Sequence, residues 1–294
     1  MSERFYSKIL LFGEYSIIKG GKGLAIPCSK FFGELQFSNN KLSQEYKLDD
    51  FATYLNGRGL LKKLLDTNRL LEDVKKGLYF HSNIPHGHGV GSSGALCASL
   101  FARYAYDFEL NDALLEKNLS FLQDAMSLME SFYHGTSSGL DCLISLVNRA
   151  VLINSRSEVQ FCDPPALSHF GSFYLYDSGI SRKTAPLVHE FLKDFHDDPN
   201  FRESFADFMN KSNSLILSFL NQEKTQFNEN FKKISLLQFN FFEKMIPHHV
   251  KKFWLDGLKS ESYYMKLCGA GGGGFFLVFT TDEKLTQNEL IALN

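Results

Sequence analysis

The stretch Pro85-His86-Gly87-His88-Gly89-Val90-Gly91-Ser92-Ser93-Gly94 sets glycines at alternate positions, follows them with two hydroxyls and leads into a run from Ala95 to Tyr106 that predicts a helix. Glycines spaced in this way let a backbone turn through φ > 0 and lie against a ligand, because no Cβ intervenes. The helix start adds unpaired N–H groups and the positive end of a dipole. Such a loop suits an anion, above all a nucleotide phosphate. The plainer reading is a glycine-rich turn before a buried helix. Six positions are specified together, and average residue usage puts a chance match at about 10⁻⁷ per start position.

Three charged residues have placements that chemistry could exploit. Lys8 interrupts the apolar run Phe5 to Leu11, and an amine in such a strand is expensive to bury without an anionic partner. It lies either on an exposed face or against an anion. Glu130 falls in the last turn of a predicted helix, where a carboxylate opposes the dipole and is ordinarily solvated. Asp141 falls in the first turn of a predicted helix over Leu140 to Val147, after the capping residues Thr136 to Ser138. There the dipole favours its ionised form by about 0.3–1 kcal/mol, whether the charge only supports the helix or also does chemistry.

The elements that position these residues follow from periodicity. Phe5 to Leu11, Leu24 to Ile26, Phe31 to Phe37 and Leu78 to Ile84 read as strands, the last feeding the glycine loop. Residues 39–50 are polar and predict a loop, and Gly59 to Val74 predicts one helix. Asn111 or Asp112 can cap the helix that carries Leu114, Leu115, Leu119, Leu122, Ala125, Met126 and Met129 on one face and ends near Phe132. Ala150 to Asn154 and Val159 to Phe161 predict a hairpin. Cys162-Asp163-Pro164-Pro165 then stops regular structure and predicts a boundary between domains at 1–163 and 164–294. A strand over Gly171 to Tyr176, a turn over Asp177 to Thr184, a helix from Ala185 and two amphipathic helices within 201–245 follow. Gly269, Ala270 and Gly271 to Gly274 separate the strands Tyr263 to Leu267 and Phe275 to Phe279. Five glycines between two apolar strands cost entropy to order, which points to a backbone pressed against another backbone or a ligand.

Composition bounds the function. The 294 residues suffice for two packed domains or one large one, and 44% hydrophobic with 22% charged residues is ordinary for a globular chain. A net charge of −2 argues against nucleic acid or an anionic membrane as partner. The 29 phenylalanines are spread along the chain and read as core and interface filling. Five scattered cysteines without a C-x-x-C pair fit reduced thiols, hence a cytoplasmic location, better than disulfides or a zinc site. Ile9 to Phe12 is too short for a signal peptide, and no stretch reaches the roughly 20 apolar residues of a membrane span.

These segments resemble the GHMP kinases. Three blocks carry the resemblance: Lys8 to Glu14 with Gly23-Leu24-Ala25; Pro85 to Ser93, which fits P-x-G-x-G-x-G-S-S and departs where Gly94 replaces the usual alanine; and Lys266 to Gly274, with Cys268 where threonine is often found. They run from residue 8 to residue 274. His134-Gly135, Ser138-Gly139-Leu140-Asp141 and Glu130, eleven residues before Asp141, are similar to the mevalonate kinase branch, as is Ser178 to Thr184. Tyr15 departs from that branch, many of whose members have a substrate-holding histidine there.

The resemblance implies an α+β, two-domain GHMP kinase fold, with an N-terminal ribosomal protein S5 domain 2-like part and a C-terminal ferredoxin-like α/β sandwich. It implies ATP and Mg²⁺ as cofactors and a small molecule as substrate, most simply mevalonate, with phosphomevalonate, a sugar or a catalytically silent metabolite-binding role as alternatives. Family members are often homodimers. Pro85, Gly87, Gly89, Val90, Gly91, Ser92 and Ser93 would cradle the nucleotide phosphates. Ser93 and Glu130 would hold the metal, which would also account for a carboxylate at a helix C-terminus. Asp141 would take or orient the proton of the substrate hydroxyl, and Lys8 would pair with it. Glu14, Tyr15, His134, Gly135, Arg182 and Thr184 would contact substrate. Gly269, Ala270, Gly271 and Gly272 would belong to a glycine motif, Gly269 to Gly274, pressed against the phosphate loop. His86 and His88 fall at variable positions and receive no role.

Overall fold

The computed structural model describes residues 3–38, 46–106, 118–155, 158–181, 184–282, 285 and 289–294. Contact density separates the chain into two compact units that are interleaved in sequence: residues 1–8, 27–85 and 90–149 form the first, and residues 9–26, 86–89 and 150–294 the second. The expected 1–163 and 164–294 division remains a proposal about modular boundaries.

In the first unit, β1 (Phe5–Phe12) begins with every second residue buried. The two short strands expected over 24–37 are one continuous 15-residue strand, β2 (Gly23–Phe37). Its second half pairs antiparallel with β3 (Leu78–Ser82), in the register Gly33 opposite Ser82 and Phe37 opposite Leu78. Three short helices lie between: α1 (Leu48–Asn56), α2 (Gly59–Leu64) and α3 (Thr67–Lys75). The expected loop over 39–50 therefore gives way to a helix at Leu48, and the single helix expected over 59–74 is two. Asp66 separates them by accepting the Arg69 N–H as the cap of α3, while Leu65 bridges to Ala105.

The helices α4 (Ser92–Tyr104), α5 (Leu119–His134) and α6 (Leu140–Val147) complete this unit. α4 buries Ala95 to Phe101 continuously, and α5 buries Leu119, Leu122, Ala125, Met126 and Met129, the face that the sequence spacing marked. The expected cap at Asn111 or Asp112 lies outside the described residues.

The second unit holds the hairpin of β4 (Ala150–Ser155) and β5 (Glu158–Cys162), with β4 pairing to Gly23, Leu24 and Ala25 of β2. It also holds an antiparallel four-stranded sheet of order β7-β8-β6-β9. Its strands are β6 (Ser172–Asp177), β7 (Tyr264–Leu267), β8 (Phe275–Thr280) and β9 (Leu290–Ala292). Its helices are α7 (Thr184–Asp197), α8 (Pro199–Leu220), α9 (Lys224–Phe241) and α10 (His248–Ser260). Phenylalanine fills this core: Phe12 packs edge-on to Phe219 at 5.3 Å between ring centroids, and Phe170 lies 4.4 Å from Phe227. Large apolar rings supply the burial that holds the sheet to its helices. Among the described residues, no helix is long and apolar enough to cross a membrane.

Candidate functional site

In the first unit, four segments bring the expected chemistry together. β1 presents Lys8, and its backbone N–H donates to the carbonyl of Val90 at 3.0 Å, which fixes the end of the glycine loop. Gly87, Gly89 and Gly91 all have φ between 73° and 80°, the conformation that their alternate spacing called for. Gly91 is the N-cap of α4 and brings no capping side chain, so the first N–H groups of α4 stay available to an anion. Ser92 and Ser93 open that helix, three residues earlier than the apolar run suggested. Pro85 lies between β3 and the loop.

Lys8 Nζ lies 3.1 Å from Asp141 Oδ1, and the lysine side chain is only 12% exposed. This resolves the two readings of Lys8: the strand buries an amine because α6 supplies its anion. Asp141 itself is 32% exposed, so its carboxylate is reachable. Gly91 sits above the pair, since a Cβ built on it would lie 3.2 Å from Lys8 Cγ and 3.4 Å from Asp141 Oδ2. Any larger residue would cover the ion pair.

Glu130 is buried, and Ser93 Oγ donates to its Oε1 at 3.0 Å. Ser137 Oγ donates to the other oxygen. Burial, followed by the negative charge of Asp141, pushes the Glu130 carboxyl above its ordinary range. His134, expected at the substrate, instead places Nε2 2.9 Å from Ser93 Oγ, and Gly135 ends α5 with φ 74°.

A hard divalent cation takes oxygen ligands at about 2.0–2.1 Å in octahedral geometry, which puts neighbouring ligands about 2.9 Å apart. The 3.0 Å between Ser93 Oγ and Glu130 Oε1 meets that spacing. A buried carboxylate with a raised pKa is also one that a cation would relieve. The two residues fit Mg²⁺. Among the described residues there is no cluster of three His, Cys, Asp or Glu that would make an all-protein metal cage, and Mg²⁺ needs none because it keeps several waters.

The second unit buries two of the residues expected at the substrate. Glu14 is 2% exposed and receives hydrogen bonds from Lys266 Nζ and, at 3.2 Å, from Gln238 Nε2. Tyr15 is 3% exposed; its hydroxyl donates to the Ala270 carbonyl at 2.7 Å, and its ring stacks on Phe242. Neither side chain has a face open to a substrate, and both brace the glycine motif. Arg182 lies outside the described residues; Thr184 begins α7.

The glycine motif, Gly269 to Gly274, is held by close backbone contacts. A Cβ on Gly271 would meet the Met245 carbonyl oxygen at 2.7 Å, and one on Gly272 would meet Leu187 Cδ1 at 2.6 Å. Gly269 and Ala270 precede these turns, and Ala270 offers only its carbonyl, to Tyr15. The approach to the phosphate loop is made by Gly274, whose Cβ would lie 2.6 Å from the His88 carbonyl oxygen. Sequence reasoning missed Ser137, Lys266 and His88. A serine in a capping run and a lysine in an apolar strand gave weak signals, and His88 gave none.

Comparison with known proteins finds similar sequences and folds. Residues 58–149 match the family model described as GHMP kinases N terminal domain. The mevalonate kinase of Dictyostelium discoideum is 23% identical over 243 residues, which is 71% of this chain; the chain spans 60% of that relative's length. Among solved structures, L. major mevalonate kinase in complex with R-mevalonate superposes with a TM-score of 0.65 at 15% identity, covering 96% of this chain and 88% of that one. The Streptococcus pneumoniae phosphomevalonate kinase gives 0.61 at 16% identity, covering 96% and 92%.

Proposed function

We propose that this chain, whose residues 58–149 match the GHMP kinases N terminal domain model, is an ATP-dependent small-molecule kinase that transfers the γ-phosphoryl group to a substrate hydroxyl. Mevalonate is the acceptor and 5-phosphomevalonate the product, which gives the protein a cytoplasmic place in isoprenoid biosynthesis. The supporting observation is the Lys8–Asp141 pair beneath Gly91, next to the hydrogen-bonded Ser93 and Glu130.

Phosphoryl transfer needs positioning and charge neutralisation more than covalent help. The backbone from Gly87 to Ser93 binds the phosphates. The acceptor oxygen bonds to the γ-phosphorus, the bond from that phosphorus to the β–γ bridging oxygen breaks, and ADP departs. Asp141 accepts the acceptor's hydroxyl proton; Lys8 pairs with Asp141 and faces the charge on the transferring group. Ser93 and Glu130 hold Mg²⁺, which when bound offsets the negative charge of the phosphate oxygens. His134, Gly135, Arg182 and Thr184 remain the proposed acceptor contacts, Arg182 through paired hydrogen bonds to a carboxylate.

A coupled ADP-release assay across mevalonate, phosphomevalonate, homoserine and galactose tests the assignment, and turnover with galactose alone rejects mevalonate. One observation favours a second acceptor. Tyr15 fills the position of a substrate-holding histidine with a buried ring, which removes a polar contact and makes phosphomevalonate or a sugar the next candidate. ATP binding without turnover of any acceptor would instead identify a silent metabolite-binding protein on this fold.

A further inference from the structure

Within the second unit, His88 is bound on every side. Its Nε2 lies 3.1 Å from Asp177 Oδ1, at the end of β6, and its Nδ1 lies 2.9 Å from the His86 carbonyl oxygen. Whichever ring nitrogen carries a proton therefore has an acceptor waiting. The ring rests on Phe275 at 5.1 Å between centroids, and the backbone of His88 lies against Gly274 too closely for any Cβ there. Asp177 Oδ1 also accepts the Gly179 N–H at 2.8 Å. Ser178 donates from both its N–H and its hydroxyl to the Gly274 carbonyl, and Gly274 N–H donates to the Ile180 carbonyl at 2.7 Å.

This arrangement answers a physical question that the loop poses. Gly87 and Gly89 flank His88 with positive φ, and glycine loses more conformational freedom on ordering than any other residue. A loop that must hold its N–H groups ready for phosphates needs an anchor, and the glycines have no side chains to provide one. His88 is the side chain between them.

We propose that His88 is a positioning residue: its imidazole latches the phosphate loop to Asp177 and thereby to the Ser178–Ile180 turn that leads to Arg182. The proposal deepens the kinase reading and rests on it for the identity of the loop's ligand. The latch holds the loop preorganised before nucleotide arrives, so its loss appears as weaker nucleotide binding and a looser free loop.

Two readouts test it, each on the full chain with thermal unfolding as a folding control. The first is hydrogen exchange of the amides from His86 to Val90 without ligand; the second is calorimetric binding of MgADP. In His88→Ala the loop amides exchange about tenfold faster and MgADP binds about tenfold more weakly, the scale of one lost hydrogen bond to a charged partner. His88→Gln, whose amide nitrogen can take the place of Nε2, restores both to within about twofold of the parent, because the bond to Asp177 is kept. Asp177→Ala loosens the loop at least as much as His88→Ala, because it also gives up the Gly179 N–H, and the double variant is no worse than Asp177→Ala alone.

Unchanged exchange and affinity in His88→Ala would overturn the latch. So would a Gln variant no better than Ala, or full additivity of the two alanine substitutions. If the exchange pattern holds while the parent chain fails to bind MgADP, the latch stands and the nucleotide reading falls.

Discussion

Gly94 brings α4 into direct backbone contact with Asp141: a methyl group built on Gly94 would lie 2.8 Å from the Asp141 carbonyl carbon and 2.9 Å from its Cβ. The residue stands where the resembled family usually has alanine, so this chain seats its acidic helix closer to α4 than an alanine would permit. Gly94→Ala gains about 1 kcal/mol of helix propensity and loses about 1–3 kcal/mol to overpacking, because backbone must move. The expected result is a protein destabilised by about 0–2 kcal/mol whose kcat falls about tenfold or more, since Asp141 is displaced from Lys8. Denaturant unfolding beside steady-state kinetics separates the two effects. A kcat equal to the parent's would show that the position of Asp141 tolerates the shift.

Asp141→Asn keeps the shape of the side chain and removes its basicity, and should lower kcat by about 10²–10⁴. Lys8→Met should lower kcat by a similar factor. Asp141 is 32% exposed, so loss of the ion pair is screened by solvent and stability should change by about 1 kcal/mol or less. Rapid-quench measurement of phosphoryl transfer would locate the loss in the chemical step. Near-parental rates in either variant would remove that residue from the mechanism.

How far the sequence anticipated this arrangement depended on whether the signal was local. The helix over Leu140–Val147 and the strands at Phe5 and Phe275 follow the expected patterns because period and capping are local properties. The break between α2 and α3 was hidden: Leu65 and Asp66 include neither glycine nor proline, and the Leu65–Ala105 bridge that helps impose it is tertiary. β9 has only three residues and becomes a strand through pairing with β6. The contacts of Lys8 with Asp141 and of Ser93 with Glu130 join segments far apart in sequence and were expected from the resemblance, not from local pattern. The buried partners of Glu14 and Tyr15 were hidden because a buried brace and a ligand contact use the same residue types. Only the positions of Lys266 and Phe242 distinguish them.

The Glu14–Lys266 pair gives a stability prediction. Both side chains are 1% exposed, and burial raises the Glu14 carboxyl despite the opposing pull of Lys266. A desolvated pair contributes little net stability, but leaving one charge alone in the core costs about 3–5 kcal/mol. Lys266→Met should therefore lower the free energy of unfolding by about that amount, and adding Glu14→Gln should recover most of it. Urea unfolding of the parent, both single variants and the double variant provides the cycle. A double variant less stable than Lys266→Met would contradict an uncompensated carboxylate as the cause.

Glu130 carries the pH prediction. Its carboxyl is raised first by burial and then by the charge of Asp141, so the folded chain holds a proton at pH values where the unfolded chain has released it. Stability attributable to this group is full below the ordinary carboxylate range and is lost as pH rises through the raised value. A cation held by Ser93 and Glu130 opposes that loss, because it binds the ionised form and releases the proton. Magnesium chloride should therefore raise the unfolding temperature more at about pH 8 than at about pH 5, where protons compete for the carboxylate. Glu130→Gln should abolish the pH-dependent increment and leave the magnesium-free protein at least as stable as the parent at the higher pH, since the variant no longer buries a charge. Thermal unfolding followed by circular dichroism, without nucleotide, measures both. An increment that is equal at the two pH values, or that survives in Glu130→Gln, would place the magnesium elsewhere.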